Sequence, residues 1–107
     1  MLSKAKITQI QWFLRGVDLR LSVIFDGLSD PTRIRIFSLL LRYKDLCVTD
    51  IARILGVTVS AASQQLRILE MTGLIRKNRA GQMTCYTVEK SSPIVRTIAR
   101  YLVQKHL

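Results

Sequence analysis

The stretch Thr49–Val88, TDIARILGVTVSAASQQLRILEMTGLIRKNRAGQMTCYTV, reads as a short helix, a glycine turn, a second helix and a basic β-hairpin. Thr49 suits the N-cap of the first helix, Asp50 favours its positive end, and Ile51, Ile54 and Leu55 supply its apolar side. Gly56 fits the left-handed position that stops a helix, and Thr58 can cap the next one almost at once. A tight glycine turn between short amphipathic helices is a helix-turn-helix pattern. In the second of these helices Ala62, Leu66 and Leu69 recur at the helical period and should face inward, leaving Val59, Ser60, Ser63, Gln64 and Arg67 outside. Gly73 ends it, and the period then changes. Leu74 and Ile75 start a strand that runs into Arg76, Lys77 and Arg79, Ala80 and Gly81 make the turn, and Thr84, Tyr86 and Val88 alternate with Met83, Cys85 and Thr87 on the way back. Two strands are marginal alone, so this wing must lean on the helices.

Upstream, Asp30 and Pro31 form a cap-then-proline start, with Ile34, Phe37, Leu40 and Leu41 as the expected buried face and Arg33, Arg35 and Arg42 on or near the solvent side. Before that, Ile7, Ile10, Leu14, Val17, Leu21, Ile24 and Leu28 are spaced alternately by threes and fours, the seam of one long helix that packs beside another. Gly16 inside it costs about 1 kcal/mol against alanine, so packing must hold that helix together. Downstream, Ser92 and Pro93 open a last helix with Ile94, Val95, Ile98, Tyr101 and Leu102 along a broad apolar face. The expected architecture is mainly α with a small β-hairpin: a winged helix-turn-helix of about five helices plus a two-stranded wing. It forms one domain over residues 1–107, in which 1–28 and 92–107 serve as dimerisation helices.

Length and composition bound the function. A chain of 107 residues has room for one core, and a hydrophobic fraction of 49% is ample to fill it, with enough left over to suggest apolar surface covered by a second subunit. Lys plus Arg number 17 against 7 Asp plus Glu, a net charge of +10 that fits a polyanionic partner. No apolar run is long enough to cross a bilayer, and the first residues, interrupted by Gln9, Gln11 and Arg15, do not resemble a secretory signal, so the expected location is the cytoplasm with no membrane partner.

The positive end of a helix attracts anions, and Thr58 and Ser60 at the start of the second helix can donate to phosphate or base edges. Gln64 can bond adenine through both its donor and its acceptor, and the methyl groups of Thr58 and Val59 can meet thymine methyls. Arg67, farther along, suits the backbone; Arg76, Lys77 and Arg79 suit phosphates or a narrow minor groove. Each residue taken singly could be an ordinary solvated side chain; their order along one motif points to double-stranded DNA.

The segments LSDPTRIRIFSLL, DLCVTDIARILGVTVSAASQQLRILEMTGLI and RKNRAGQMTCYTV together resemble the ArsR/SmtB family of prokaryotic winged-helix repressors, over roughly Leu28 to Val88. The Asp-Pro-Thr-Arg run and the Ser-Ala-Ala-Ser-x-x-Leu-x-x-Leu segment carry most of the likeness. The resemblance implies a homodimeric regulator, a repressor of transcription that binds an operator with two-fold character and is released by an inducer the sequence does not name. It also implies a dimer interface from the first and last helices, here Ile7, Ile10, Leu14, Val17 and Leu21 with Ile94, Ile98, Tyr101 and Leu102.

The likeness stops at the metal sites. Arsenic, cadmium and lead sensors of the family carry Cys-x-Cys where this chain has Cys47 and Thr49, and the terminal helix offers only His106 where zinc and nickel sensors place paired His and acidic ligands. The expectation is therefore no metal and no cofactor. Cys47, between Leu46 and Val48, reads as a small buried apolar residue, with a thiol sensor as the alternative; Cys85 on the wing can be partly exposed. Two cysteines form no framework, and in a reducing compartment two free thiols are expected. A winged-helix module that joins proteins is a second reading of the fold, one that would not need the basic wing. An enzyme has no support: one histidine and scattered acids form no nucleophile–base pair.

Overall fold

Asp30 has extended backbone and its carboxylate accepts the N–H groups of Thr32 (2.8 Å) and Arg33 (3.2 Å), which launches a helix at Pro31. Similar local chemistry sets the other starts. The Thr58 hydroxyl accepts from Ala61 N–H at 3.0 Å, and the Ser92 hydroxyl from Val95 N–H at 3.3 Å. In the computed structural model, which describes residues 1–104, the elements run α1 (Lys4–Arg15), α2 (Arg20–Gly27), α3 (Pro31–Arg42), α4 (Val48–Leu55), α5 (Val59–Met71), β1 (Ile75–Ala80), β2 (Met83–Val88) and α6 (Pro93–Gln104). His106 and the end of the 92–107 segment lie outside the described residues.

The architecture is the winged helix-turn-helix expected, with six helices among the described residues rather than five. The extra one comes from a break in the expected long first helix. Gly16 caps α1, and the Asp18 carboxylate then accepts Arg20 N–H at 3.0 Å and clasps the Arg20 guanidinium at 2.7 Å, starting α2 afresh. The same Arg20 contacts hold the Asp18 carboxyl down at about 2. No residue of α1 is buried, so the described residues do not supply the packing that a continuous helix through Gly16 would need. As a result α1 stands away from the rest: the radius of gyration is 18.0 Å, where a compact chain of this length has about 13 Å.

The core lies between α3, α4, α5, the wing strands and α6, with Ile36, Phe37, Ile51, Leu66, Leu69, Leu74, Ile75 and Val95 fully enclosed. Two expected core positions are corrected. On α3 Ile36 is buried and Ile34 is 39% exposed; on α4 Ala52 is buried and Ile54 is 54% exposed. In both helices the face turned to the core is rotated from the one hydropathy suggests, because a second apolar row faces a groove between α3, α4 and α6 lined by Ile34, Leu39, Tyr43, Ile54 and Tyr101. Gly27, at the end of α2, meets the strand entry so closely that a Cβ would lie 2.5 Å from Thr72 Oγ1.

The wing is a two-stranded antiparallel hairpin in which Ile75 pairs with Val88 and Ala80 with Met83, so the turn is Gly81–Gln82, one residue beyond the expected Ala80–Gly81. Gly81 takes φ +64°, the conformation a two-residue hairpin turn demands. Strict alternation fails on β2, where Cys85, Tyr86 and Val88 are all buried. The reason is a short bridge: Cys47 pairs antiparallel with Cys85, and Tyr86 N–H donates to Leu46 C=O at 3.2 Å, so the wing base is covered on both sides.

Candidate nucleic-acid interface

Gly56 at φ +69° ends α4, and Thr58 caps α5 just after it. This close turn sets α5 across α4, where Ala62, with almost no exposed surface, lets the two helices approach. With Ala62, Leu66 and Leu69 sealed below, the opposite face must look outward. Thr58, Val59, Ser60, Gln64 and Arg67 are exposed and Ser63 is half-buried. Ser60, Gln64 and Arg67 follow at steps of four and three, one stripe along a helix of 13 residues, about 20 Å long. The first-turn N–H groups and the positive end of the helix macrodipole lie at the same end as Thr58 and Ser60. Thr58 already uses its oxygen as an acceptor from Ala61, which leaves its O–H and methyl for an external partner.

The three wing cations are exposed but do not share one face. Along β1, Lys77 and Arg79 point to one side and Arg76 to the other. Arg76 lies near Glu89, whose carboxyl is held below its ordinary range first by the Ser91 hydroxyl at 2.7 Å, with Arg76 adding to it. Lys77 stands 4.0 Å from Glu70 of α5, a half-exposed ion pair that ties the wing to the reading helix more by position than by energy. Lys77, Ser63, Arg67, Glu70, Thr84 and Tyr86 line one cleft of about 170 Å³ between α5 and the wing, so the outer face of α5 and the wing cations adjoin. Burial, then the Glu70 carboxylate, pushes the Tyr86 phenol up, with Arg67 opposing. Arg79 pairs with Thr84, one step from the tip, and is the wing cation reaching farthest from the core on its face.

Arg33, expected on or near the solvent side, is half-buried, and its head group is engaged by the protein. Its guanidinium donates to Gly27 C=O at 2.7 Å, to Asp26 C=O at 3.3 Å and to the Gln65 side-chain oxygen at 3.1 Å. Gln65 sits on α5 beside the outward Gln64, so Arg33 clamps the helix that carries the exposed stripe to the turn between α2 and α3. The only hint in sequence is its place in the Asp-Pro-Thr-Arg run.

The two thiols expected to be free and apart are joined, Cys47 to Cys85, and Cys85 is buried rather than partly exposed. Sequence separation hid this, because 38 positions and three elements intervene. Among the described residues no three His, Cys, Asp or Glu side chains converge on a point where a metal could sit, and no helix is long and apolar enough to cross a membrane.

A family model described as bacterial regulatory protein, arsR family, matches residues 30–77, from the Asp30 cap to the first half of the wing. Over that span the chain is similar to the arsR family of regulators. Among similar proteins, the transcriptional repressor SmtB homolog of Synechocystis is 35% identical over 85 residues, 78% of this chain and 64% of that protein. The chain spans from about half to just under two-thirds of the length of the curated relatives it matches. Of the solved structures, HlyU from Vibrio cholerae superposes with a TM-score of 0.71 at 26% identity, covering 79% of this chain and 89% of its own. A homodimeric winged helix-turn-helix DNA-binding domain from Mycobacterium bovis gives a TM-score of 0.68 at 21% identity over 98% of this chain and 84% of its own, a likeness of fold that includes α1 and α6.

Proposed function

We propose that this chain is a homodimeric, sequence-specific DNA-binding regulator of the ArsR family that represses transcription. The observation that carries this is the exposed polar stripe Ser60–Gln64–Arg67, turned outward by the buried Ala62–Leu66–Leu69 row and set beside Lys77 and Arg79 of the wing. A helix of that width fits the major groove, where Gln64 and Ser60 can read base edges, while Arg67 and the wing cations neutralise phosphates. The name of the Synechocystis relative supports repression. Dimerisation is supported by α1, whose Ile7, Ile10, Trp12, Phe13 and Leu14 are all exposed on a helix that buries no residue among the described ones. Residues 1–28 and 92–107 then form the interface: Val17 and Leu21 continue the exposed row, Tyr101 is exposed on α6, and Ile94, Ile98 and Leu102 half-cover the core beneath. Two copies would present their α5 helices about 34 Å apart, one turn of the duplex.

Selection from a randomised duplex library tests the reading, and a recovered site with two half-sites one turn apart is the expected result; recovery of no preferred sequence would overturn it. Light scattering of the free protein at micromolar concentration should return twice the chain mass, and a monomer would remove the assignment of α1 and α6. Arg79→Ala should weaken binding to all duplexes alike and lower the slope of log affinity against log salt by about 1 for each phosphate the side chain neutralises. An unchanged slope would take Arg79 off the DNA.

A further inference from the structure

We propose that Cys47 and Cys85 form a thiol–disulfide site that reacts with peroxides and sets how firmly the wing is held against the helix-turn-helix. Cys47 is the residue immediately before α4, the first helix of the motif, and Cys85 is mid-strand on β2. In their antiparallel bridge the flanking Tyr86 N–H to Leu46 C=O bond makes the cysteines the non-hydrogen-bonded pair, the position where facing side chains come closest. Across the hairpin Cys85 faces Asn78, between the partners of Lys77 and Arg79. The sulfur bond therefore lies directly behind the cationic segment of the wing and anchors it to the start of α4.

The loop it closes, 38 positions long, contains all of α5 and β1, so the bond ties the reading helix and both wing strands into one ring. Without it, the Tyr86 N–H to Leu46 C=O bond, the half-exposed Lys77–Glu70 pair and the apolar contacts of Ile75, Tyr86 and Val88 remain to hold the wing base. The fold persists, but the wing is less preorganised.

The chemistry is a two-electron exchange. Both cysteines are buried, 7% exposed at Cys47 and 3% at Cys85, so only a small oxidant can reach them, and the first attack is assigned to the less enclosed residue, Cys47. Its thiolate attacks one peroxide oxygen, the O–O bond breaks, and hydroxide leaves a sulfenic acid on Cys47. The Cys85 thiolate then attacks that sulfur, the S–O bond breaks and a second hydroxide leaves. The two thiol protons convert both hydroxides to water, so the thiols are oxidised to the disulfide and hydrogen peroxide is reduced to two waters. A dithiol reductant reverses this by exchange, taking up the bond through a mixed disulfide.

The DNA consequence rests on the function proposed above; the thiol chemistry does not, and the test separates them. The full chain is treated with hydrogen peroxide or with dithiothreitol, its free thiols are alkylated and counted by mass spectrometry, and each form is titrated with the selected duplex. Expected are no alkylated cysteines after peroxide and two after reductant, a melting midpoint higher by about 10 °C in the oxidised form, and duplex affinity about tenfold tighter in that form through preorganisation. The Cys47→Ala/Cys85→Ala double variant should bind at the weaker level and ignore both reagents. Two alkylated cysteines after peroxide would overturn the site. Equal affinities, tighter binding by the reduced form, or a response surviving in the double variant would overturn its control of the wing. A disulfide that cycles in a protein binding no duplex in either state would overturn the DNA function and leave the thiol site standing.

Discussion

Leu66→Ala is expected to destabilise the fold by about 2–5 kcal/mol, a large share of the 5–15 kcal/mol typical of a small domain. Leu66 is fully enclosed, in the middle of α5, within the cluster that includes Phe37, Ile51 and Tyr86. Truncation removes the transfer energy of the deleted atoms and leaves a cavity among groups held by three other elements, which can collapse only in part. Thermal unfolding should show a midpoint lower by on the order of 10 °C or more. The base preference of the fraction that remains folded should not change, because Leu66 faces away from the exposed stripe. A midpoint within a degree or two of the parent would mean that α5 is not seated as described, and the outward assignment of Gln64 would go with it.

Gln64→Ala should do the reverse. The side chain is exposed and joins no described hydrogen bond network, so stability should stay within about 0.5 kcal/mol of the parent. Its amide can offer a donor and an acceptor together to the edge of an adenine, a pairing whose loss costs about 1–3 kcal/mol of discrimination at the base it reads. In a dimer the loss appears at the same position of both half-sites. Selection with the variant should recover the same site with that position relaxed. Gln65 is its contrast. It is adjacent in sequence, but its oxygen accepts from Arg33, so its replacement should cost stability and shift α5 as a whole. If Gln64→Ala left the selected site unaltered at every position, the reading stripe would have to be reassigned.

The order of elements around the motif was legible because its signals are local. The Asp30, Thr58 and Ser92 caps, the left-handed Gly56 and the Ala62–Leu66–Leu69 row each rest on residues within one or two turns of each other, and each stands where expected. The exposed stripe of α5 follows from that row by helical geometry alone. The α4 start was less legible. Thr49 looked like its cap, yet the helix begins at Val48 after Cys47, whose N–H is taken by the Asp50 carboxylate at 2.9 Å. Thr49 has the better capping side chain, but the bridge from Cys47 to Cys85 already sets the extended backbone two residues earlier.

Failures cluster where two surfaces compete or where partners are far apart. An apolar row on α3 or α4 does not say whether it meets this chain's core or a groove, and so Ile34 and Ile54 looked interchangeable with Ile36 and Ala52. A 3.5-residue seam through Gly16 does not say whether a neighbour is present to hold the helix together, and among the described residues none buries any residue of α1.

Sequence alone determined the helix-turn-helix, the basic wing and the outward polar stripe, because periodicity, caps and turn residues act over a few positions. Tertiary structure alone decided that Arg33 clamps α5 from the α2–α3 turn, that Tyr86 bonds to Leu46, and that Cys47 meets Cys85. Those contacts join residues remote along the chain, and their existence depends on how the wing and the helices come to rest against one core, which no local pattern encodes.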